Sequence, residues 1–190
     1  MKPGRRAVGI AASDRERLSH LAGAVVRADR VADGFAFGTC TVGGSDATAA
    51  VCALIDQLDR EDVRYVLLAG IAPAWFNILD LQTIHEHTGL PTLSVSFESS
   101  PGLGDAICDA FDSQAAVEKR LSTYRAQPDR RRLSVNDESL FVRSAGIDHE
   151  TAAEIVRAYT AAGGRPEPLR IARLAARAVA ASQTRCDSSN

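Results

Sequence analysis

The chain has 190 residues, 45% of them hydrophobic, and 22 basic against 24 acidic side chains leave a formal net charge of -2. That length suits one sizeable core and is short for two, and the near balance of charge excludes a global positive field toward nucleic acid while leaving a local patch open. No apolar run approaches the roughly 20 residues that span a bilayer, and MKPGRR is not followed by an apolar stretch, so the expectation is a cytoplasmic location and no membrane partner.

In chain order, residues 6–11 (RAVGIA) read as a buried first strand, 20–27 as a second and 31–42 as a third. In the third strand Phe35, Phe37 and Thr39 share one face, and Gly34 and Gly38 mark bulges. The two short connections favour hairpins. After Gly43 and Gly44 the period changes, with Ser45 or Asp46 capping a helix whose apolar residues are Val51, Leu54, Ile55 and Leu58. Residues 64–68 form a fourth strand, 77–87 a helix ending at Gly89, and 92–95 a fifth strand, so strands four and five are joined by a parallel crossover. Helices are expected at 103–111, 114–125, 148–162 and 168–183, a strand at 140–143, and an exposed loop at Arg130 to Arg132. One domain over 1–181 and a polar tail over 182–190 complete the layout. Three antiparallel strands, then helix, strand, helix, strand, is the order of a ribonuclease H-like mixed α/β sheet, with helices on its faces.

Cys40, Cys52, Cys108 and Cys186 are widely spaced, with no CxxC or Cys/His pairing, and read as buried or incidental thiols. His85 and His87 stand two apart on a helix and cannot chelate as an i, i+4 pair does, and no serine has the surroundings of a nucleophile. Two readings stay open for GGSDAT, at 43–48. It is a glycine turn feeding a helix cap, or Gly43, Gly44 and Ser45 bring backbone amides to a phosphate. In AWFNILDL, Trp75, Phe76, Ile78 and Leu79 anchor the helix that Asn77 caps, or Asn77 and Asp80 reach into a cleft where Trp75 stacks on a base. Arg170, Arg173 and Arg177 recur on one helical face, as a solvated stripe or as a phosphate track.

The phrases VGIA at 8–11, AGAVVR at 22–27, ADGFAF at 32–37, TVGGSDAT at 41–48, LLAGIAPAWFNILDL at 67–81, TGLP at 88–91 and RPEPLRIARLAA at 165–176 together resemble the archaeal endonuclease dU family, which is similar to endonuclease V. The resemblance runs from about Gly9 to Ala176 and implies metal-dependent cleavage of DNA at a deaminated base. It also implies acidic residues after the GI of strand one, before the glycine preceding SDAT, and before the GI that ends strand four. This chain carries Ala11 and Ala12, Gly43, and Ala69 at those places. Methyl groups and hydrogen cannot ligate Mg²⁺ or Mn²⁺, which want oxygen donors. Three functions follow as alternatives: a nucleic-acid-binding protein with weak or lost cleavage and no metal site, an active Mg²⁺- or Mn²⁺-dependent endonuclease with ligands relocated among Asp14, Asp46 and Asp80, and a protein interaction module. Asp33 and Glu167 are further carboxylates to place.

Overall fold

The computed structural model describes residue 2 and residues 4–187, with the side chains placed as far as residue 183. Residues 188–190 and the side chain of Cys186 lie outside what is described. Strands β1 (Arg6–Asp14), β2 (Leu18–Arg27) and β3 (Ala32–Thr41) form the expected meander. Helix α1 (Ala47–Leu58), strand β4 (Val63–Ala69), the single turn α2 (Pro73–Phe76), helix α3 (Leu81–Thr88) and strand β5 (Thr92–Ser96) follow. Helices α4 (Gly104–Ala110) and α5 (Gln114–Arg125), strands β6 (Arg131–Val135) and β7 (Glu138–Ala145), and helices α6 (His149–Tyr159) and α7 (Glu167–Asp187) complete the chain.

All seven strands form one sheet in the order β3-β2-β1-β4-β5-β7-β6. The pairs β1/β4 and β4/β5 are parallel, and β1/β2, β2/β3, β5/β7 and β6/β7 are antiparallel. The ribonuclease H-like order is therefore present, extended by a hairpin at the β5 edge. Alternation divides the side chains between two layers. Val8, Ile10, Val66 and Leu68 pack toward α1 and α3, whereas Leu67, Leu93, Val95 and Val142 pack with Ile155, Val156 and Leu169 of α6 and α7.

The close seat of α7 on the sheet depends on Gly9, where a Cβ would stand 2.3 Å from the Pro168 carbonyl carbon. On the opposite face Gly23 makes room for Leu54, which a Cβ would meet at 2.5 Å. Gly38 pairs in regular register with Leu21 and is not a bulge; the register shifts once in β3, at Asp33 beside Gly34.

Four further expectations are corrected. Arg131 and Arg132 are not loop residues but begin β6, because Leu133 and Val135 alternate inward and Asn136 and Asp137, at φ 48° and 66°, close a two-residue hairpin. Asn77 does not start a helix, since α3 begins at Leu81 with Asp80 as its cap. Trp75 is 58% exposed and does not anchor a helix to the sheet; its ring meets that of Phe76 edge-on. Residues 182–187, expected as tail, continue α7. Among the thiols whose side chains are described, Cys40 and Cys52 are buried and Cys108 is exposed.

Candidate functional site

Parallel strands β1, β4 and β5 point their carboxyl ends at one edge, the usual ligand edge of an open α/β sheet. Ala11, buried near the end of β1, joins Ala24, Val26 and Ala172 in a small apolar cluster, and Ala69 at the end of β4 packs against it. Ala12 faces the other layer, against the α1 side of the core. Gly43 follows β3, two strands away from β1, and its amide donates to the Ala74 carbonyl at 2.7 Å. None of these four residues offers a side-chain oxygen to a divalent cation, and among the described residues no three His, Cys, Asp or Glu side chains gather where they could hold a metal. Ala11, Ala12, Gly43 and Ala69 themselves do not fit such an ion.

The carboxylates considered as substitutes are each bonded in place. Asp14 accepts from Ser19 Oγ at 2.6 Å. Asp80 caps α3, accepting from the amides of Gln82 and Thr83 at 3.1 and 3.2 Å. Asp46 turns back to accept from the Thr41 amide, from the Thr41 hydroxyl at 2.8 Å and from Asn77 Nδ2 at 2.6 Å. Partial burial opposes ionisation of Asp46, yet the bonds from Asn77 and Thr41 outweigh it and hold the carboxyl below its ordinary value. Asp33 lies at the far end of the sheet with Arg6 and Arg60, and Glu167 pairs with Arg170.

Asn77 is fully buried and does not enter a cleft. Its Oδ1 accepts from the Ala47 amide at 3.0 Å, and its Nδ2 also donates to the Thr41 carbonyl at 2.9 Å, so it ties the first turn of α1 to the end of β3. Asp46, at the cap position of α1, makes no capping bond itself. The Gly43 and Gly44 amides, expected as a phosphate cradle, are spent on the Ala74 and Thr41 carbonyls. The carbonyls of both glycines accept from the buried Arg120, which also donates to Phe76 and Ala116 and lies 3.9 Å over the Phe111 ring. Ser45 Oγ accepts from Lys119 at 3.0 Å. This segment is a structural knot.

The knot holds a costly backbone. Ala74, Trp75 and Phe76 all have positive φ, at 50°, 56° and 55°, a left-handed turn that disfavours L residues by about 1–2 kcal/mol each. Such strain persists only where neighbours enforce it. Its result is to present the indole of Trp75 to solvent beside Gly43.

Beyond the ends of β4 and β5 opens a cavity of about 430 Å³, lined by Ala69, Gly70, Ser94, Ser96, Phe97 and four arginines, Arg130, Arg143, Arg165 and Arg173. Arg173 was a sequence candidate, whereas Arg170 is not part of the lining and is ion-paired with Glu167. Arg130, Arg143 and Arg165 were missed. Arg165 lies 4.1 Å over Phe97, Arg130 4.0 Å over Phe141, and Arg143 5.3 Å from the Tyr124 ring centre. Burial lowers the pKa of Arg165 and of Arg130, and neighbouring arginines push each further down. A sequence signal did exist for one pair: Phe141 and Arg143, two apart on a strand, must share a face.

The chain matches the endonuclease dU family over residues 3–180. A UPF0215 protein of Thermococcus gammatolerans is 32% identical over 94% of this chain and 94% of its own length. A second, from Methanosarcina barkeri, is 30% identical over 97% and 95%. Among solved structures, the fold is similar to a protein of unknown function from Archaeoglobus fulgidus, with TM-score 0.82 and 24% identity over 92% of this chain and 97% of that one. It is similar also to human ENDOV, with TM-score 0.65 and 13% identity over 95% and 86%. Endonuclease V of Ciona intestinalis, in complex with a DNA containing an inosine followed by a ribo-adenosine, gives TM-score 0.61 and 15% identity over 94% and 87%.

Proposed function

The chain belongs to the endonuclease dU family, and from that premise we propose that it binds nucleic acid at the carboxyl edge of its sheet with metal-dependent cleavage weak or lost. The observation that carries this reading is the pairing of two features at one edge. Ala11 and Ala69 supply methyl groups at the ends of β1 and β4, and four arginines line the adjoining cavity. A hydrolytic centre of this kind needs clustered oxygen donors for its cation, whereas guanidinium groups recognise phosphate without one. The chemistry open to these side chains is therefore capture and orientation of a phosphate. The solvent-facing indole of Trp75 supports the same reading, since a base can stack on it at little cost in sequence preference. DNA containing deaminated bases is the first ligand to test, because the Ciona neighbour was solved with inosine in its DNA.

The experiment is a pair of measurements on the full chain with single- and double-stranded DNA containing uracil or hypoxanthine. Trp75 is the only tryptophan, so quenching of intrinsic fluorescence reports a base reaching it. Binding should weaken steeply as salt rises, as phosphate contacts demand, and incubation with Mg²⁺ or Mn²⁺ should leave the DNA uncut. Cleavage by the natural chain overturns the loss of activity and favours an enzyme with relocated ligands. Absence of salt-sensitive binding overturns the nucleic-acid role and leaves a protein interaction module.

A further inference from the structure

The four arginines of the cavity reach it from both layers of the fold. Arg130 and Arg143 come from the segment before β6 and from β7, and Arg165 and Arg173 come from the segment before α7 and from α7 itself. Each of the first two is fixed by neutral acceptors. Arg130 donates to Ser96 Oγ at 3.2 Å and to the carbonyls of Ser100 and Glu98, and Arg143 donates to the Pro128 carbonyl and to the Tyr124 hydroxyl. Among the described residues none of the four is ion-paired. The one acidic residue in the lining is the exposed Glu98, and Arg130 takes its backbone carbonyl.

Arg165 is the most telling of the set. Its guanidinium lies over Phe97, and its Nη1 is buried with no hydrogen-bond acceptor. A buried charged donor left unmet is expensive, more so beside like charges, and calls for an acceptor from outside the chain, an anion or a water. In this lining an anion with several oxygens answers best, because four guanidinium groups and one carboxylate leave a surplus of positive charge.

We propose that this cavity binds a phosphate monoester, either the terminal phosphate of a nucleic-acid strand or that of a free nucleotide, with Arg165 and Arg173 as its direct ligands. A monoester carries about 1.5–2 negative charges at neutral pH and three free oxygens, and so answers the surplus better than an internal diester with one charge. Planar guanidinium forks match that geometry with paired hydrogen bonds, and the Ser94 hydroxyl lies in the same lining. A volume of about 430 Å³ lies in the range of whole small-molecule sites, so the nucleoside behind the phosphate also has room. The strand-end source rests on the nucleic-acid reading above; the free-nucleotide source does not.

The test uses the full chain in EDTA and one oligonucleotide with and without a terminal phosphate, together with AMP, adenosine and inorganic phosphate, followed by fluorescence anisotropy and calorimetry. The phosphorylated strand is expected to bind at least about tenfold tighter than its hydroxyl-ended twin, the equivalent of one added charge-assisted contact. AMP should displace it and adenosine should not. Arg165→Gln and the solvent-exposed Arg173→Gln, which carries little risk to folding, should each erase the preference for the phosphorylated strand and abolish the binding of AMP. Equal affinity for the two strands, with no binding of AMP or phosphate, overturns the pocket and leaves the nucleic-acid role standing. Arginine-dependent binding of AMP with no binding of either strand keeps the pocket and ends the nucleic-acid role.

Discussion

The buried side chain of Asn77 accepts the Ala47 amide at 3.0 Å, thirty residues away in sequence, so the first turn of α1 is capped by a residue outside α1. The same amide group donates to Asp46 and to the Thr41 carbonyl, and three segments at the carboxyl edge of the sheet depend on it. Asn77→Ala removes a helix cap and leaves a buried amide and carbonyl unmet. The expected loss is about 2–4 kcal/mol of unfolding free energy, read by urea denaturation. A loss under about 0.5 kcal/mol would mean that water replaces the side chain at no cost.

The acid response of the fold should carry a contribution from Asp46. Its carboxyl is held below the ordinary value of 3.8 in the folded chain, so on acidification the unfolded chain takes up the proton first. The stabilisation is complete above that ordinary value and fades as pH falls through the lowered one. Melting temperatures of the natural chain and of Asp46→Asn, measured from pH about 6 down to about 2.5, should converge at the acid end. Parallel curves across that window would show that Asp46 contributes nothing to acid unfolding.

Gly9 should tolerate no side chain. The added methyl of Gly9→Ala would sit 2.3 Å from the Pro168 backbone, which cannot swing aside as a flexible side chain could. Displacing α7 should cost about 1–3 kcal/mol or more, and because Arg165 and Arg173 flank Pro168, it should weaken phosphate binding in parallel. Denaturation and AMP titration of the variant check both. Unchanged stability would show that α7 does not seat on β1 at this point.

Introducing carboxylates at the strand ends offers a test of the edge itself. Ala11→Asp with Ala69→Asp places two acids where one apolar cluster now packs, and Gly43→Asp adds a third at a positive φ that Asp accepts more readily than most residues. In EDTA the double variant should lose stability by several kcal/mol, since paired buried carboxylates repel and are desolvated. Addition of Mn²⁺ should recover part of the lost melting temperature. No recovery would mean that the ends of β1 and β4 do not converge on one ion.

Local pattern alone determined much of this molecule. The apolar runs of β1 and β2, the alternation of Phe35, Phe37 and Thr39 in β3, the helical period of Val51, Leu54 and Leu58, and the glycine stop at Gly89 depend on neighbours in the chain, and the strand order followed from them. That Ala11, Gly43 and Ala69 carry no side-chain oxygen was equally legible, because residue type is the same wherever the chain folds. Tertiary structure alone decided which charged and polar groups meet. Arg130, in what reads as a charged loop, and Arg165, before a helix, lie 35 positions apart yet line one cavity across the end of the sheet. Asn77, which suits a local cap, is claimed by α1 instead. Hydrogen bonds and cation–ring contacts are decided by distance in space, and no period along a chain encodes a distance between segments that only the assembled sheet brings together.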